Sequence, residues 1–261
     1  MKHPAGDAGD AGPVPAVARA LFPEERLALA RRYADLLASD GVTRGLIGPR
    51  EVPRLWDRHL VNCALLAGAL PHGASVADIG SGAGLPGLVL AIARPDLQIT
   101  LVEPLLRRTT FLEEAVAALG LNNVLVRRDR ADALHGERTF DVVTSRAVAP
   151  LERLLGWSMP LVAPAGALVA MKGSSVQQEI ADAEAALTRL GCAPPVVETV
   201  APPASAEGGE LGGDGAGDPP QVTLVRVTWA DPARVSLRTS GRRGSPRRRA
   251  SGPSRRREWP S

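Results

Sequence analysis

The hydrophobic pattern changes character near residue 74. Before that point, apolar positions such as Leu29 and Leu36 recur at roughly helical spacing, which predicts one helix over about 15–39 and a second over 51–70. After it, short apolar runs alternate with longer amphipathic stretches. The chain is therefore expected to begin with a helical cap and to continue as an α/β domain.

The α/β region contains five apolar strands separated by amphipathic helices, a pattern typical of a parallel sheet with helices on both faces. The predicted strands are 75–79, 98–102, 123–127, 140–144 and 167–171, and the predicted helices are 86–93, 105–119, 150–159 and 175–190. Two further strands, 195–200 and 221–229, have no helix between them and are expected to form an antiparallel hairpin. The predicted fold is Rossmann-like, with a seven-stranded, mostly parallel sheet and a terminal antiparallel hairpin, and it fits a six-stranded dehydrogenase sheet less well.

Composition supplies the domain boundaries. Residues 1–14 and 231–261 are rich in Gly, Pro, Ser or Arg and are expected to be disordered, and 201–220 is expected to be a flexible loop within the hairpin. The helical cap then covers 15–73, and the Rossmann-like domain covers 74–230.

The net charge of +3 conceals an uneven distribution, because the tail 231–261 carries ten arginines and a net charge of +8, which leaves −5 for the rest. Its arginine clusters at 242–243, 247–249 and 255–257 predict salt-sensitive contacts to nucleic-acid phosphates. The alternative is compositional bias, since the whole chain prefers arginine to lysine. The tail alone does not decide between them.

Several classes of protein are excluded. No apolar run approaches the ~20 residues of a membrane helix, and the polar N-terminus has no apolar signal core, so we expect a cytoplasmic protein that does not bind a membrane. Cys63 and Cys192 lie far apart, and the four histidines show no ligand spacing. These residues predict neither a disulfide nor a metal site.

The most informative segment is the loop that follows the first strand, where glycines stand at 80, 82, 84 and 87. A strand, a glycine turn and a helix together let a nucleotide-like ligand approach bare backbone. Gly82, Gly84 and Gly87 also satisfy the dinucleotide pattern G-x-G-x-x-G, but its first glycine should follow the strand directly. Asp78 stands two residues before the first glycine, and the resulting pattern D-x-G-x-G-x-G resembles motif I of the Rossmann-like methyltransferases that use S-adenosylmethionine (SAM), so it favours SAM over NAD.

Two acidic residues follow the next strands. Glu103 comes at the end of the second strand, where an acid can bond both ribose hydroxyls of either cofactor. Asp132 follows the third strand, and two interpretations stay open for it: a contact to the adenine amino group, or a helix N-cap.

Two cations lie where the fourth and fifth strands end. Arg146 is placed just beyond the fourth strand and Lys172 just beyond the fifth, both beside the expected crevice. Lys172 is the one lysine of the predicted folded region, and its ammonium is expected to hold a base oxygen or a phosphate, or simply to be solvated. Methyltransferases that act on exocyclic amines of nucleic acids usually carry an (N/D)PP(Y/F) motif after the fourth strand, and those that act on cytosine C5 use a Pro-Cys nucleophile. Neither is present here, so the atom that accepts the methyl group is expected to be a ring nitrogen with a free lone pair.

Together these segments resemble one family: the bacterial small-subunit (16S) ribosomal RNA guanine-N(7) methyltransferases, also called glucose-inhibited division protein B. The matching stretches cover about residues 45–190, and they read RHLVN, VADIGSGAGLPGLVLAIARPD, LVEPLLRRTTFLEEA, FDVVTSRAVAPLERLLGW and GALVAMKG. The resemblance implies a SAM-dependent methyltransferase domain over 74–230 and a substrate in the small ribosomal subunit, bound by a monomeric enzyme.

The resemblance also implies roles for named residues. Guanine N(7) attacks with a lone pair, so Arg146 and Lys172 are expected to position the base or a phosphate without acting as a general base. The predicted cofactor-binding residues are Asp78, Gly80, Ser81, Gly82, Gly84, Leu85, Glu103, Ala131, Asp132 and Arg146. The predicted substrate-binding residues are Arg58, His59, Arg146 and Lys172, of which Arg146 and Lys172 are the predicted catalytic residues.

Three other functions are weighed against this one. A SAM-dependent enzyme acting on another RNA or on a small molecule would share the same loop. An NAD(P)-dependent oxidoreductase is disfavoured because Tyr33 is the only tyrosine and no Y-x-x-x-K motif exists. A non-catalytic RNA-binding protein would be expected to have a degraded glycine loop, and this one is intact.

Overall fold

The computed structural model describes residues 10–203 and 220–235. They contain one seven-stranded sheet in the order β3-β2-β1-β4-β5-β7-β6. Strands β1 to β5 are parallel, and β7 runs antiparallel to both β5 and β6. The predicted mixed sheet with a terminal hairpin is therefore confirmed. The strands are β1 Ser75–Ile79, β2 Gln98–Val102, β3 Val124–Arg127, β4 Phe140–Arg146, β5 Val162–Lys172, β6 Val196–Val200 and β7 Val222–Val227.

Helices cover both faces of the sheet, as the alternating pattern predicted. The α-helices are α1 Ala16–Leu21, α2 Leu27–Leu36, α3 Asn62–Leu65, α4 Gly87–Ala93, α5 Leu106–Leu119, α6 Leu151–Ser158, α7 Val176–Asp182 and α8 Glu184–Leu190. One apolar core joins the N-terminal helices with α4 and α5, and the other joins α6, α7 and α8 to the opposite face.

The N-terminal helices differ from the prediction in detail. The expected helix over 15–39 is interrupted at Phe22, whose backbone is extended because the following Pro23 disfavours a helical conformation there. The expected helix over 51–70 is one helical run from 49 to 69, which we call the cap helix, and its winding changes along its length. It passes through 3-10 turns at Pro49–Arg54, a π-helical stretch at Leu55–Val61, α3, and 3-10 turns at Leu66–Ala69.

Three predicted boundaries are wrong. Strands β4 and β5 are longer than expected, so Arg146 and Lys172 are their last residues and do not lie beyond them. Arg146 pairs in register with Met171, and Lys172 with Thr223 of β7. The helix expected over 175–190 divides at Ala183, which is fully buried and separates α7 from α8.

Some predictions fall wholly or partly outside the described residues. The arginine clusters of the tail and residues 204–219 of the expected loop are among these. Residues 10–14 are described, and Ala11 among them is buried, with its N–H 3.5 Å from Oδ1 of Asp35. Both cysteines are free, Cys63 fully buried and Cys192 partly buried. Within the described ranges no helix is long and apolar enough to cross a membrane.

The first turn of α4 packs too tightly to admit a side chain. A Cβ on Gly87 would lie 2.2 Å from Cδ2 of Leu101 and 2.7 Å from Oδ2 of Asp78. We therefore expect Gly87→Ala to lower the free energy of unfolding by about 1–3 kcal/mol, because the core must shift to accept it. Urea unfolding measures this change.

Gly156 provides the matched control. It lies in α6, and a Cβ there would meet no atom within 4 Å. Gly156→Ala is expected to raise the free energy of unfolding by up to about 1 kcal/mol, because it restricts the unfolded chain. Equal stability of the two variants would contradict the tight packing at Gly87.

Candidate active site

The carboxyl ends of β1 and β4 meet at the centre of the sheet. From β1 the chain moves through β2 to β3 on one side, and it then returns to β4 and β5 on the other. Such a reversal leaves a crevice between the loops that follow the two central strands, and open α/β sheets bind ligands there. In this protein the glycine loop, residues 80–86, follows β1, and the crossover loop, residues 147–150, follows β4.

The side chain of Asp78 is completely buried beneath the glycine loop. Its Oδ2 accepts a hydrogen bond of 3.0 Å from the N–H of Gly87, and the Ser81 hydroxyl donates to its main-chain oxygen. Among the described residues its Oδ1 has no hydrogen-bond partner. Burial raises the pKa of Asp78 to about 7 against the lowering effect of the Gly87 bond. A buried polar atom without a partner is unusual, and this one lies directly beneath the glycine loop.

The glycines of the loop serve different purposes. A Cβ on Gly80 would lie 2.7 Å from Cγ2 of Val148, and one on Gly84 would lie 2.9 Å from the Tyr33 hydroxyl. A Cβ on Gly82 would meet only the carbonyl oxygen of Gly80, at 3.7 Å. Protein atoms thus fill the space beside Gly80 and Gly84. Of these three glycines, Gly82 is the one with room for a ligand against its backbone.

Glu103 lies directly after β2 and is almost fully buried against the glycine loop. Its carboxylate accepts hydrogen bonds of 3.1 Å from the N–H groups of Gly82 and Leu105, and Arg108 lies 3.4 Å away. The structure therefore brings two predicted cofactor residues, Gly82 and Glu103, into contact. Leu85, also predicted, packs half-buried against the core beneath the cap.

Ala131 and Asp132 lie in a short 3-10 turn, Ala131–Leu134, that follows β3. Ala131 is buried, whereas the Asp132 side chain is half exposed and pairs with Arg130 at 3.1 Å. The Arg130 guanidinium lowers the pKa of Asp132. The N-cap interpretation of Asp132 is wrong, because Arg130 occupies the cap position. The adenine contact stays a prediction.

Arg146 reaches from the end of β4 to the cap helix. Its guanidinium lies 2.6 Å from Nδ1 of His59, donates to the main-chain oxygen of Arg58 at 3.3 Å, and lies 3.4 Å from Sγ of Cys63. All three partners belong to the cap helix. Arg146 is therefore the point at which the sheet is tied to the cap beside the crevice.

Both ring nitrogens of His59 are engaged within the protein. A guanidinium only donates, so Nδ1 of His59 accepts from Arg146, and Nε2 carries the proton and donates to Oε2 of Glu51 at 3.1 Å. Burial and the positive charge of Arg146 lower the pKa of His59. The neutral imidazole links Glu51 to Arg146, so His59 contacts the predicted catalytic arginine directly.

Lys172 is held more tightly than the sequence predicted. Its Nζ lies 2.7 Å from Oε2 of Glu179 and donates to the carbonyl oxygen of Ala149 at 3.0 Å, and its side chain is only 8% exposed. Glu179 also accepts from the N–H of Leu151 at 3.0 Å. Although burial acts in the opposite direction, Lys172 holds the pKa of Glu179 below its ordinary value. The interpretation of Lys172 as a solvated lysine is therefore wrong.

A cavity of about 940 Å³ lies beside the crossover loop. Three of the predicted substrate residues, Arg58, Arg146 and Lys172, line it, and residues 221–223 form part of its far wall. The cavity and the glycine loop lie on either side of Val148, which lines the cavity and touches Gly80.

The crossover loop begins with a strained residue. Ala147 has φ +52°, and it is the one non-glycine residue of the described ranges in the left-handed region. This conformation costs an alanine roughly 1–2 kcal/mol, and such strain is concentrated at ligand sites. It turns the chain so that Val148 follows directly against the glycine loop.

Four residues that shape this site were not among the predicted site residues: Tyr33, Glu51, Val148 and Glu179. The Tyr33 hydroxyl is buried and donates to the carbonyl oxygen of Ala83 at 2.7 Å, which fastens the glycine loop to α2. Tyr33 had a visible signal, being the only tyrosine, but its partner lies 50 residues away. The other three are ordinary residue types in ordinary patterns, and only the fold brings them to the crevice.

Comparison with known proteins adds a family assignment. A family model described as GidB, rRNA small subunit methyltransferase G, matches residues 26–203. A protein of Nocardioides sp. named "Ribosomal RNA small subunit methyltransferase G" is 64% identical over 239 residues, which are 91% of this chain and 90% of the relative. Proteins of the same name from Thermobifida fusca and Streptomyces coelicolor are 49% and 56% identical, over 89% and 71% of this chain and 96% and 77% of theirs.

The raised pKa of Asp78 predicts a pH-dependent stability. The unfolded carboxyl loses its proton near pH 4 and the folded one near 7, so between these values folding takes up a proton and stability falls as pH rises. Asp78→Asn removes the carboxyl that titrates, so the variant does not lose this part of its stability as the pH rises. We expect the free energy of unfolding of the variant, relative to the wild type, to rise by about 1 kcal/mol per pH unit from pH 5 to 7 and then to level off.

Asp141→Asn is the control for this titration series. The Ser75 hydroxyl and N–H lower the pKa of Asp141, so its titration lies below pH 5. Urea unfolding at pH 5, 6, 7 and 8 should give a constant difference between Asp141→Asn and the wild type. A constant difference for Asp78→Asn as well would mean that Asp78 is ionised across this range.

Proposed function

The chain belongs to the family of rRNA small subunit methyltransferase G, and on that premise we propose that it transfers a methyl group from SAM to N(7) of a guanine in 16S ribosomal RNA. The observation that carries the proposal is the similarity over nearly the whole chain to a relative of that name, at 64% identity. The crevice between β1 and β4 supports it, because that is where an open α/β sheet binds a nucleoside cofactor.

The residues of the crevice fit SAM. Gly82 has open space against its backbone, and Glu103 is fixed beside it within reach of a ribose. Asp78 lies buried beneath the same loop and fixes its turn into α4 through the bond to the Gly87 N–H. The remaining predicted contacts, Ala131 and Asp132, lie in the turn that follows the neighbouring strand and would face the adenine.

When bound, SAM supplies an electrophilic methyl group. The lone pair of guanine N(7) needs no prior deprotonation, so the protein's main task is to orient the two reactants. Correct orientation alone contributes up to ~7–11 kcal/mol to such reactions. None of the groups placed around the cavity has to act as a base, which agrees with the three cations that line it and with His59, whose ring nitrogens both have partners within the protein.

Arg146 is the residue best placed to orient the substrate. Its contacts to the cap helix fix the guanidinium at the edge of the cavity, and Arg58 lines the same cavity with an exposed side chain. A fixed guanidinium with free N–H groups recognises phosphate or guanine oxygens. We propose that Arg146 and Arg58 contact the RNA and that His59 acts by holding Arg146.

The proposed partner is the small ribosomal subunit, and we propose that the protein acts in the cytoplasm as a monomer. The RNA-binding interpretation of the arginine-rich tail belongs to this proposal, although those residues lie outside the described ranges.

The first test is the activity itself. We expect the purified full chain to methylate one guanine of 16S RNA when it is incubated with SAM and small subunits from a strain that lacks the modification. Mass mapping of the RNA locates the methyl group, and calorimetric titration compares SAM with NAD. Binding of NAD in place of SAM, or methylation of another atom, would contradict the proposal.

A second test replaces Arg146 by lysine, which keeps the charge. One ammonium has too few donors and the wrong shape to keep the contacts to the cap and still face the cavity. We expect kcat/KM for small subunits to fall about 10- to 100-fold, because misplacement of this kind reduces orientation. Arg153→Lys, at an exposed position of α6, is the control and should retain the wild-type rate. Equal rates for both variants would remove Arg146 from the mechanism.

A further inference from the structure

The crossover loop 147–150 is held at both of its ends. At its start, Arg146 is bound to the cap helix. At its end, Lys172 binds the carbonyl oxygen of Ala149, and Glu179 binds both the N–H of Leu151 and the Lys172 ammonium. One of these contacts holds the loop itself, at Ala149, and the others fix Arg146 and Leu151, the residues on either side of it.

The crossover loop places one apolar side chain, Val148, against the glycine loop. Val148 Cγ2 approaches Gly80 so closely that a Cβ on Gly80 could not be accommodated. The same valine lines the 940 Å³ cavity on its other side. Val148, which is 37% exposed, thus contacts the glycine loop and also lines the cavity, so its position affects both.

We propose that Lys172 and Glu179 are positioning residues, a buried ion pair that holds the crossover loop so that Val148 and Arg146 are in place for methyl transfer. This inference rests on the proposed function and reassigns Lys172. Its ammonium acts on the loop, and the RNA contacts the neighbouring Arg146. Glu179, which no sequence motif singles out, is as important as Lys172 because it binds the N–H of Leu151, the residue that directly follows the loop.

The two roles of Lys172 make opposite predictions for Glu179→Gln. If Lys172 contacted RNA directly, removing its carboxylate partner would free the ammonium, and activity would be unchanged or higher. If the pair positions the loop, Glu179→Gln and Lys172→Met each lower kcat about tenfold, while KM for small subunits stays within about twofold. The double variant should then be no worse than either single one, since both remove the same clamp.

Glu184→Gln, an exposed acid at the start of α8, is the matched control and should behave as wild type. A readout independent of catalysis is amide hydrogen exchange, in which the Leu151 N–H should exchange faster in Glu179→Gln than in Glu184→Gln. A second readout is the affinity for S-adenosylhomocysteine, which should weaken several-fold because Val148 is no longer held against the glycine loop. Unchanged exchange and unchanged affinity in Glu179→Gln would overturn the inference.

A second pair of variants tests the loop if Glu179→Gln does not fold. Ala147→Val adds a β-branched side chain at φ +52° and should reproduce the tenfold loss of kcat, whereas the exposed control Glu184→Gln should keep the wild-type value. Equal activity of the two would also overturn it. A wild-type chain that fails to methylate small subunits would refute the proposed function, and the exchange measurement would still test the clamp.

Discussion

The buried carboxyl of Asp78 is the constraint around which the centre of this molecule is built. It stands at the end of the central strand β1 and binds the first N–H of α4, so it fixes how the chain turns from the sheet into the helix. Its burial brings Gly87 so close that no side chain is tolerated there, and it leaves one carboxylate oxygen without a partner. An unpartnered buried oxygen costs stability, and this cost lies directly beneath the loop that we propose binds SAM.

The helical cap is part of this same arrangement. Tyr33 of α2 fills the space beside Gly84 and binds the carbonyl oxygen of Ala83, and His59 of the cap helix binds Arg146. The cap thus holds the glycine loop on one side of the crevice and the end of β4 on the other. Because both loops are fixed to one helical unit, their separation is fixed too, and that separation determines how the two reactants meet.

The sequence was sufficient for those features that depend on short-range pattern. The strands and the glycine loop follow from runs of apolar residues and from glycine spacing, and their positions were predicted within a few residues. The break at Pro23 was also present in the sequence, as the ordinary effect of proline on the residue before it. The partners of Lys172 and Arg146 could not be predicted, because Glu179 and His59 are brought to them only by the packing of α7 and the cap.

The two cations at the ends of β4 and β5 looked equivalent in the sequence, and donor number separates them. A guanidinium has five N–H donors. Within the described part of the chain, Arg146 directs three of them to the cap helix, which leaves two for a substrate. Lys172 has three, spends two on Ala149 and Glu179, and is nearly buried. An arginine can therefore be anchored and still bind, whereas an anchored lysine has little left to offer. On the proposed function, the number of free donors therefore favours substrate contact by the arginine of β4 and loop support by the lysine of β5.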